Sequence, residues 1–286
     1  MDRNFRRLSL KQFAKTAGYL SDYVDKTIAK YQKPATATTI IDSDFTRKFR
    51  SLPPGPERER LVFEEAVKRG KPKNLVPVTK TVGNTEVTYY VSPNFLNIDG
   101  IFVPMTGPTA QKIADALGMN LPTSVMSRQI YDNADAKLVP SPMSAGGVIG
   151  GKQYTGEQVV KGLIGNSETS VAYSQRILDE QAKTKGQLYA GHMKDIVQPG
   201  LNSDRLYMQG WYDKDGKAIQ GKSEQAESAR TVHNKDHSEY AGGLRLVGNK
   251  VIKKVNGQPV EMTFEQAMKD PEVSKILSHI PGVKKY

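Results

Sequence analysis

The chain has 286 residues, of which 37% are hydrophobic and 25% charged, so it holds enough apolar material for a core. It contains no cysteine, which excludes disulfides, thiolate nucleophiles and thiolate metal sites. No segment approaches the roughly 18 consecutive apolar residues of a membrane span. The first 30 residues lack the apolar core of a signal peptide. We therefore expect a cytoplasmic protein, or one that is released or packaged in a virion.

The positive charge is concentrated at one end of the chain. Residues 1–80 hold 18 lysines and arginines against 9 acidic residues, a net +9 of the total +11. A basic field of this kind attracts polyanions such as nucleic acid or an anionic cell wall. We predict a polyanion partner for residues 1–80; a solvated helical arm is the alternative.

The same N-terminal region shows helical patterns and a strong helix breaker. Ser9 and Gln12 form a capping box that predicts a helix ending near Gln32. A Pro-Pro-Gly-Pro run over 53–56 separates it from a second charged helix over 57–69. These patterns predict a basic helical arm over 1–73, followed by an α+β domain over 74–286.

The remainder of the chain alternates between helical and β patterns. Residues 85–91 alternate and are β-rich, which predicts a strand. Thr106, Thr123 and Thr155 are placed to cap helices in a mixed helical middle. Turn residues then predict a hairpin of 205–212 with 217–220, and a meander of 244–247, 250–255 and 259–262. The fold class predicted is α+β with a C-terminal antiparallel hairpin and meander sheet.

Three of the four histidines lie in two short polar runs. If the run from His233 to His237 is helical, the two imidazoles share a face at a spacing of four residues, which suits a divalent metal such as zinc. His192 and Asp195 could then supply the third and fourth ligands. His279, near the C-terminus, is expected at the surface.

The alternative to a metal site is a metal-free catalytic site built from residues of the same region. His192 or His233 could act as a general base oriented by Asp195, with Lys194 or Arg245 stabilising developing negative charge. In a third interpretation these residues only hydrogen-bond across the loops of a sheet. All three alternatives remain open from the sequence.

Aromatic side chains lie in the predicted hairpin and after it. The single tryptophan, Trp211, and Tyr240 are candidate substrate-binding residues, because aromatic rings can stack on sugars or bases. The alternative is that these rings form part of a packed core face.

Several tracts resemble a family of uncharacterised bacterial and phage proteins. The resemblance rests on Gly191-His192-x-Lys194-Asp195, on the aromatic hairpin, and on His233 with Tyr240 and Leu244-Arg245-Leu246-Val247. That family reads GHKKD, then a hairpin ending in PIQ, then H-x6-Y-SHG-x-RLV. The resemblance spans about residues 85–250. It marks candidate positions and implies no reaction.

The family's SHG-x-R tract is in turn similar to the SHGCxR site of L,D-transpeptidases, which act on peptidoglycan. The present chain has Ala241-Gly242-Gly243 at this point, and it has no cysteine anywhere. A cysteine transpeptidase mechanism is therefore excluded.

These observations favour a hydrolase-like protein that acts on or binds anionic cell-wall material and is associated with a phage. The rival hypothesis is a non-catalytic virion or nucleic-acid-binding protein that works through its basic N-terminal arm. Convergence of the polar residues on one open pocket would distinguish an enzyme from a binding protein.

Overall fold

A computed structural model describes residues 39–200, 203–213, 215–217, 219, 233–278 and 280–286. Within these residues, no helix has the length and apolar character needed to cross a membrane. The predicted helix from Ser9 to about Gln32, and His279, lie outside the described residues.

In chain order the elements are α1 (Asp44–Ser51), α2 (Pro56–Arg69), β1 (Val76–Val82), β2 (Thr85–Val91), β3 (Asn97–Ile98), β4 (Ile101–Phe102), α3 (Gly107–Ala116), α4 (Ser124–Asn133), β5 (Ala136–Lys137), a 3-10 turn (Met143–Ala145), β6 (Gly147–Ile149), β7 (Lys152–Tyr154), α5 (Gly156–Gln158) continuing as a π-helical turn (Val159–Leu163), α6 (Ser167–Lys183), β8 (Tyr189–Ala190), β9 (Lys194–Ile196), β10 (Met208–Gly210), β11 (Gly242–Gly243), β12 (Val247–Val255), β13 (Gln258–Thr263), α7 (Phe264–Lys269) and α8 (Pro271–Leu277).

The first two helices in the described part of the chain, α1 and α2, pack into the core. Phe49 of α1 and Val62 of α2 are fully buried, in a cluster that also holds Ile98 and Ile113. Arg58 of α2 is fully buried as well, and it donates to the carbonyl of Gly165 at 2.7 Å. Both helices therefore belong to the main body of the protein.

This packing corrects the predicted division at residue 73. The compact unit extends from Ala37 to Tyr286, so the predicted boundary falls inside it. Sequence alone favours an arm here because the exposed faces of α1 and α2 are highly charged. Their apolar positions are few, but they are the ones that pack against the rest of the chain.

One four-stranded antiparallel sheet has the order β1-β2-β12-β13. Its two hairpins come from distant parts of the chain and meet where β2 pairs with β12. Val87, Tyr89 and Val91 of β2 alternate inward and are fully buried, in the pattern of a strand with one covered face. The observed fold is thus α+β, as the sequence patterns predict.

The C-terminal sheet differs in detail from the predicted meander. β12 runs from Val247 through Gly248 and Asn249 with a local irregularity in its register, so the turn predicted at 248–249 is absent and residues 244–246 lie outside the strand. The predicted hairpin of 205–212 with 217–220 is present where its residues are described, since the Asp213 amide donates to the Lys217 carbonyl and the Ile219 amide donates to the Trp211 carbonyl. The earlier part of its first arm, β10, pairs with β9.

A second, three-stranded sheet has the order β10-β9-β11 and carries most of the candidate residues. β9 is antiparallel to β10 and parallel to β11. Ile196 of β9 and Met208 of β10 belong to the same buried cluster as the two N-terminal helices. This small sheet is therefore held firmly within the core.

Candidate functional site

The two neighbouring residues Lys194 and Asp195 divide the candidate residues into two groups. Successive side chains of a strand point to opposite faces. Asp195 contacts Ser127 and Arg245 on one face of β9, whereas Lys194 contacts Glu239 and Trp211 on the other. The residues predicted to form one site therefore form two polar clusters.

The first cluster is a buried ion pair. Arg245 is fully buried, and its Nε lies 2.9 Å from Oδ1 of Asp195. Its Nη1 donates to the Ser92 carbonyl at 3.1 Å, and its Nη2 donates to the Tyr189 carbonyl at 2.8 Å. Each nitrogen of the guanidinium thus has a partner inside the protein, and the geometry gives Arg245 no role toward a substrate.

Asp195 is equally enclosed. Its Oδ1 accepts from Arg245, and its Oδ2 accepts from the hydroxyl of Ser127 in α4 at 2.5 Å. The carboxylate therefore ties α4 to the small sheet and balances a charge that would otherwise be buried alone. Asp195 and Arg245, both predicted as catalytic residues, thus pair with each other inside the protein.

His192 also lies in the core, with 1% of its surface exposed. Its Nε2 lies 3.1 Å from Oδ1 of Asn94, and its ring packs edge-on against Phe95 and Phe102. Burial, with a smaller effect from the Arg245 charge, lowers the pKa of His192 to about 3. The imidazole is therefore neutral at physiological pH. His192 is not one of the residues whose ligand atoms converge with those of His233 in the described part of the chain.

The second cluster is built on Glu239, whose side chain is 4% exposed. The ammonium of Lys194 lies 2.6 Å from Oε1 of this carboxylate and 4.3 Å from the centroid of the Trp211 ring. The Lys194 amide donates to the Ala241 carbonyl, which holds β9 beside the residues that follow Glu239. The strand pairing thus determines where Lys194 and Glu239 meet.

His233 and His237 lie on the other side of the same carboxylate. Their Nε2 atoms are each 3.8 Å from Oε2 of Glu239. The two imidazoles stack, with ring centroids 3.9 Å apart and an angle of 12° between their planes. His233, His237 and Glu239 therefore bring two nitrogens and one carboxylate oxygen together.

A tight turn produces this arrangement, where the sequence suggested a helix. The His237 amide donates to the Asn234 carbonyl at 2.9 Å, and the Asp236 amide donates to Oδ1 of Asn234. The turn is anchored by the His233 carbonyl, which accepts from the Leu206 amide. The predicted pairing of the two imidazoles is present, but a turn stabilised by an Asn side chain creates it.

The three ligand atoms have a spacing that a divalent cation can use. They all lie within 4.8 Å of one another, whereas tetrahedral zinc ligands are about 3.4 Å apart for bonds near 2.1 Å. To reach this spacing, the two nitrogen–oxygen separations of 3.8 Å would each have to close by about 0.4 Å, and the widest separation by up to about 1.4 Å. Nε2 of His237 is buried, and it faces Oε2 of Glu239 at 3.8 Å.

The charge state of Glu239 also fits a ligand. Burial raises the pKa of this carboxyl, but contacts with His237, Lys194 and His233 together lower it by more, so that the pKa falls to about 2. The carboxylate is therefore ionised at neutral pH, the form that binds metal ions. His192 and Asp195, the predicted third and fourth ligands, lie in the other cluster and cannot contribute.

The predicted substrate-binding aromatics are buried. Trp211 is 1% exposed and Tyr240 is 3% exposed. The Trp211 Nε1 donates to the His192 carbonyl at 3.2 Å, and the Tyr240 hydroxyl accepts from the Met143 amide at 3.0 Å. Neither ring presents a face on which a sugar or base could stack, so both form the wall behind the second cluster.

Sequence reasoning missed Glu239. The residue follows His237 by two positions, and a carboxylate close after a histidine pair is a signal that could have identified it. Asp236 is adjacent to His237 and Glu239 is two positions beyond it, so the spacing alone does not choose between the two acidic residues. Only the second is buried and directed at both imidazoles.

The chain matches no protein-family model, and comparisons with curated proteins and with solved structures find no match either.

Proposed function

We propose that the protein is a metal-dependent hydrolase whose metal site consists of His233, His237 and Glu239. The observation that carries this proposal is the convergence of two imidazole nitrogens and an ionised carboxylate oxygen within 4.8 Å. Two histidines and one glutamate are the protein ligands of a well-known class of hydrolytic zinc sites. Three protein ligands leave at least one position for water or substrate.

Access to the site is provided from the histidine side. The side chains of His233 and His237 are 33% and 27% exposed, whereas Glu239 lies beneath them at 4%. A cation held by this set would be reachable by a substrate at the surface. When bound, it would polarise a carbonyl or phosphoryl oxygen and activate a water molecule.

We propose anionic cell-wall material as the substrate. Support comes from the net +9 of residues 1–80, which would concentrate the protein on such a surface. Eight of the lysines and arginines, against three acidic residues, lie in residues 1–38. The basic segment would thus supply attachment, while the histidine cluster supplies the chemistry.

The test is hydrolysis of purified cell walls, followed as a fall in turbidity. We expect activity that a chelator abolishes and added zinc restores, and a loss of at least 100-fold in His237→Ala. Glu180→Gln, which alters an exposed ion pair on α6, is the matched control and should keep full activity. Activity that resists the chelator and persists in His237→Ala would contradict the proposal.

The rival function is attachment to nucleic acid through the basic N-terminal residues, and the same charge asymmetry favours it. It predicts retention on DNA that falls steeply with salt and does not depend on His237. DNA retention that falls with salt, together with no hydrolysis of cell walls whether or not zinc is added, would favour this alternative.

A further inference from the structure

Lys194 gives the proposed metal site an unusual charge balance. The two oxygens of Glu239 have separate partners, because Oε1 lies 2.6 Å from the Lys194 ammonium while Oε2 lies 3.8 Å from each imidazole. The carboxylate can therefore keep its lysine while its other oxygen binds a metal ion. Lys194 and a bound cation would share one ligand.

The position of the ammonium is tightly determined. The side chain of Lys194 is only 14% exposed, and its Nζ lies over the ring of Trp211. That ring is held in turn by its hydrogen bond to the His192 carbonyl. Trp211 adopts a positive φ of 60°, a conformation that bulky residues rarely take and that the surrounding structure must enforce. The lysine therefore cannot easily leave the carboxylate when a metal ion arrives.

The charge of Lys194 affects how much of a bound metal ion's charge the protein neutralises. Lys194 offsets the single negative charge of Glu239, the one carboxylate of the ligand cluster. The nearby Asp204 lies 2.9 Å from the ammonium of Lys235 and is balanced there. A divalent cation bound at this site would thus keep close to its full double charge, which an additional anionic ligand would compensate.

Building on the proposed function, we propose that Lys194 makes the metal site selective for an anionic group, a carboxylate or a phosphate, as the added ligand. The lysine acts as a positioning and charge-setting residue. It weakens the hold of the protein on the metal ion and strengthens the hold of the metal ion on the anion.

This proposal predicts effects of opposite sign in one variant. Lys194→Met removes a cation from beside the carboxylate, so zinc should bind about 10-fold more tightly. The zinc-loaded variant should bind anions about 10-fold more weakly. A lysine that only supported the fold would, when replaced, weaken zinc binding or leave it unchanged.

The experiment uses the full chain and isothermal titration calorimetry. Zinc is titrated first, and acetate and methylphosphonate are then titrated separately into the zinc-loaded protein, so that carboxylate and phosphate-like ligands are distinguished. Lys194→Arg retains the charge, so its zinc and anion affinities should lie closer to wild type than those of Lys194→Met. Lys253→Met is the matched control, since that lysine is 15% exposed and pairs with Asp270 and Glu272 away from the site.

The result expected is tighter zinc and weaker anion binding in Lys194→Met alone. Weaker or unchanged zinc binding in Lys194→Met, or unchanged anion affinity, would overturn the inference while leaving the metal site intact. Absence of zinc binding in the wild-type protein would overturn the proposed function itself, and the inference with it.

Discussion

Lys194 and Asp195 are consecutive residues of β9, yet their side chains serve different clusters on opposite faces of the strand. Lys194 lies 2.6 Å from Glu239, and Asp195 lies 2.9 Å from Arg245. One cluster is partly open at its two histidines, whereas the other is closed. The alternation of a short strand thus separates a candidate site from a structural ion pair.

The closed cluster predicts a large loss of stability in Asp195→Ala. The substitution leaves the Arg245 guanidinium buried without its carboxylate, which typically costs about 3–5 kcal/mol. Urea denaturation measures the free energy of unfolding. Glu180→Gln, in an exposed pair with Lys183, should change it by less than about 0.5 kcal/mol. A similar small change in Asp195→Ala would show that the pair does not support the fold.

His192 predicts a dependence of stability on pH. The folded protein keeps this imidazole neutral down to a pKa of about 3, whereas the unfolded chain binds a proton near pH 6.5. Because the unfolded state holds more protons below pH 6.5, stability falls as the pH falls from there toward 3, by about 2 kcal/mol between pH 6.5 and 5. His192→Gln should lose this part of the slope. Parallel curves for the two proteins in urea unfolding at pH 7, 6 and 5 would contradict the assignment.

The packing of the first two helices predicts different outcomes for two truncations. Removal of residues 1–38 takes away none of the described core, so the remaining protein should fold. Removal of residues 1–73 also deletes Phe49 and Val62, each fully buried and each contributing about 1.5–3 kcal/mol. We expect that product to be insoluble or unfolded by circular dichroism and size-exclusion chromatography. A folded 74–286 fragment would restore the domain boundary that the sequence suggested.

Local patterns made much of the fold predictable. The cap residues Thr106, Thr123 and Thr155 begin helices as expected, because each side chain accepts from a backbone amide three residues later. The alternation over Thr85–Val91 predicted β2 correctly. What could not be predicted is long-range pairing: β2 joins β12, more than 150 residues away along the chain, and no local signal specifies that partner.

The candidate site was likewise predictable only where its contacts are local in the sequence. His233 and His237 were recognisable as a pair, since their spacing is local. Placing His192 and Arg245 in the core required the positions of Asn94, Ser92 and Tyr189, which belong to other parts of the chain. A polar residue in a sequence motif can satisfy a buried partner or face a substrate, and only the three-dimensional contacts distinguish these roles.

Zinc binding by equilibrium dialysis tests the central claim most directly. The wild-type protein should bind one zinc ion per chain. Both His237→Ala and Glu239→Gln should lose at least 10-fold in affinity, because each removes or neutralises one ligand. The single tryptophan, Trp211, gives a fluorescence check that the variants remain folded. Failure of the wild-type chain to bind zinc, or equal binding by wild type and both variants, would contradict a metal site at His233, His237 and Glu239.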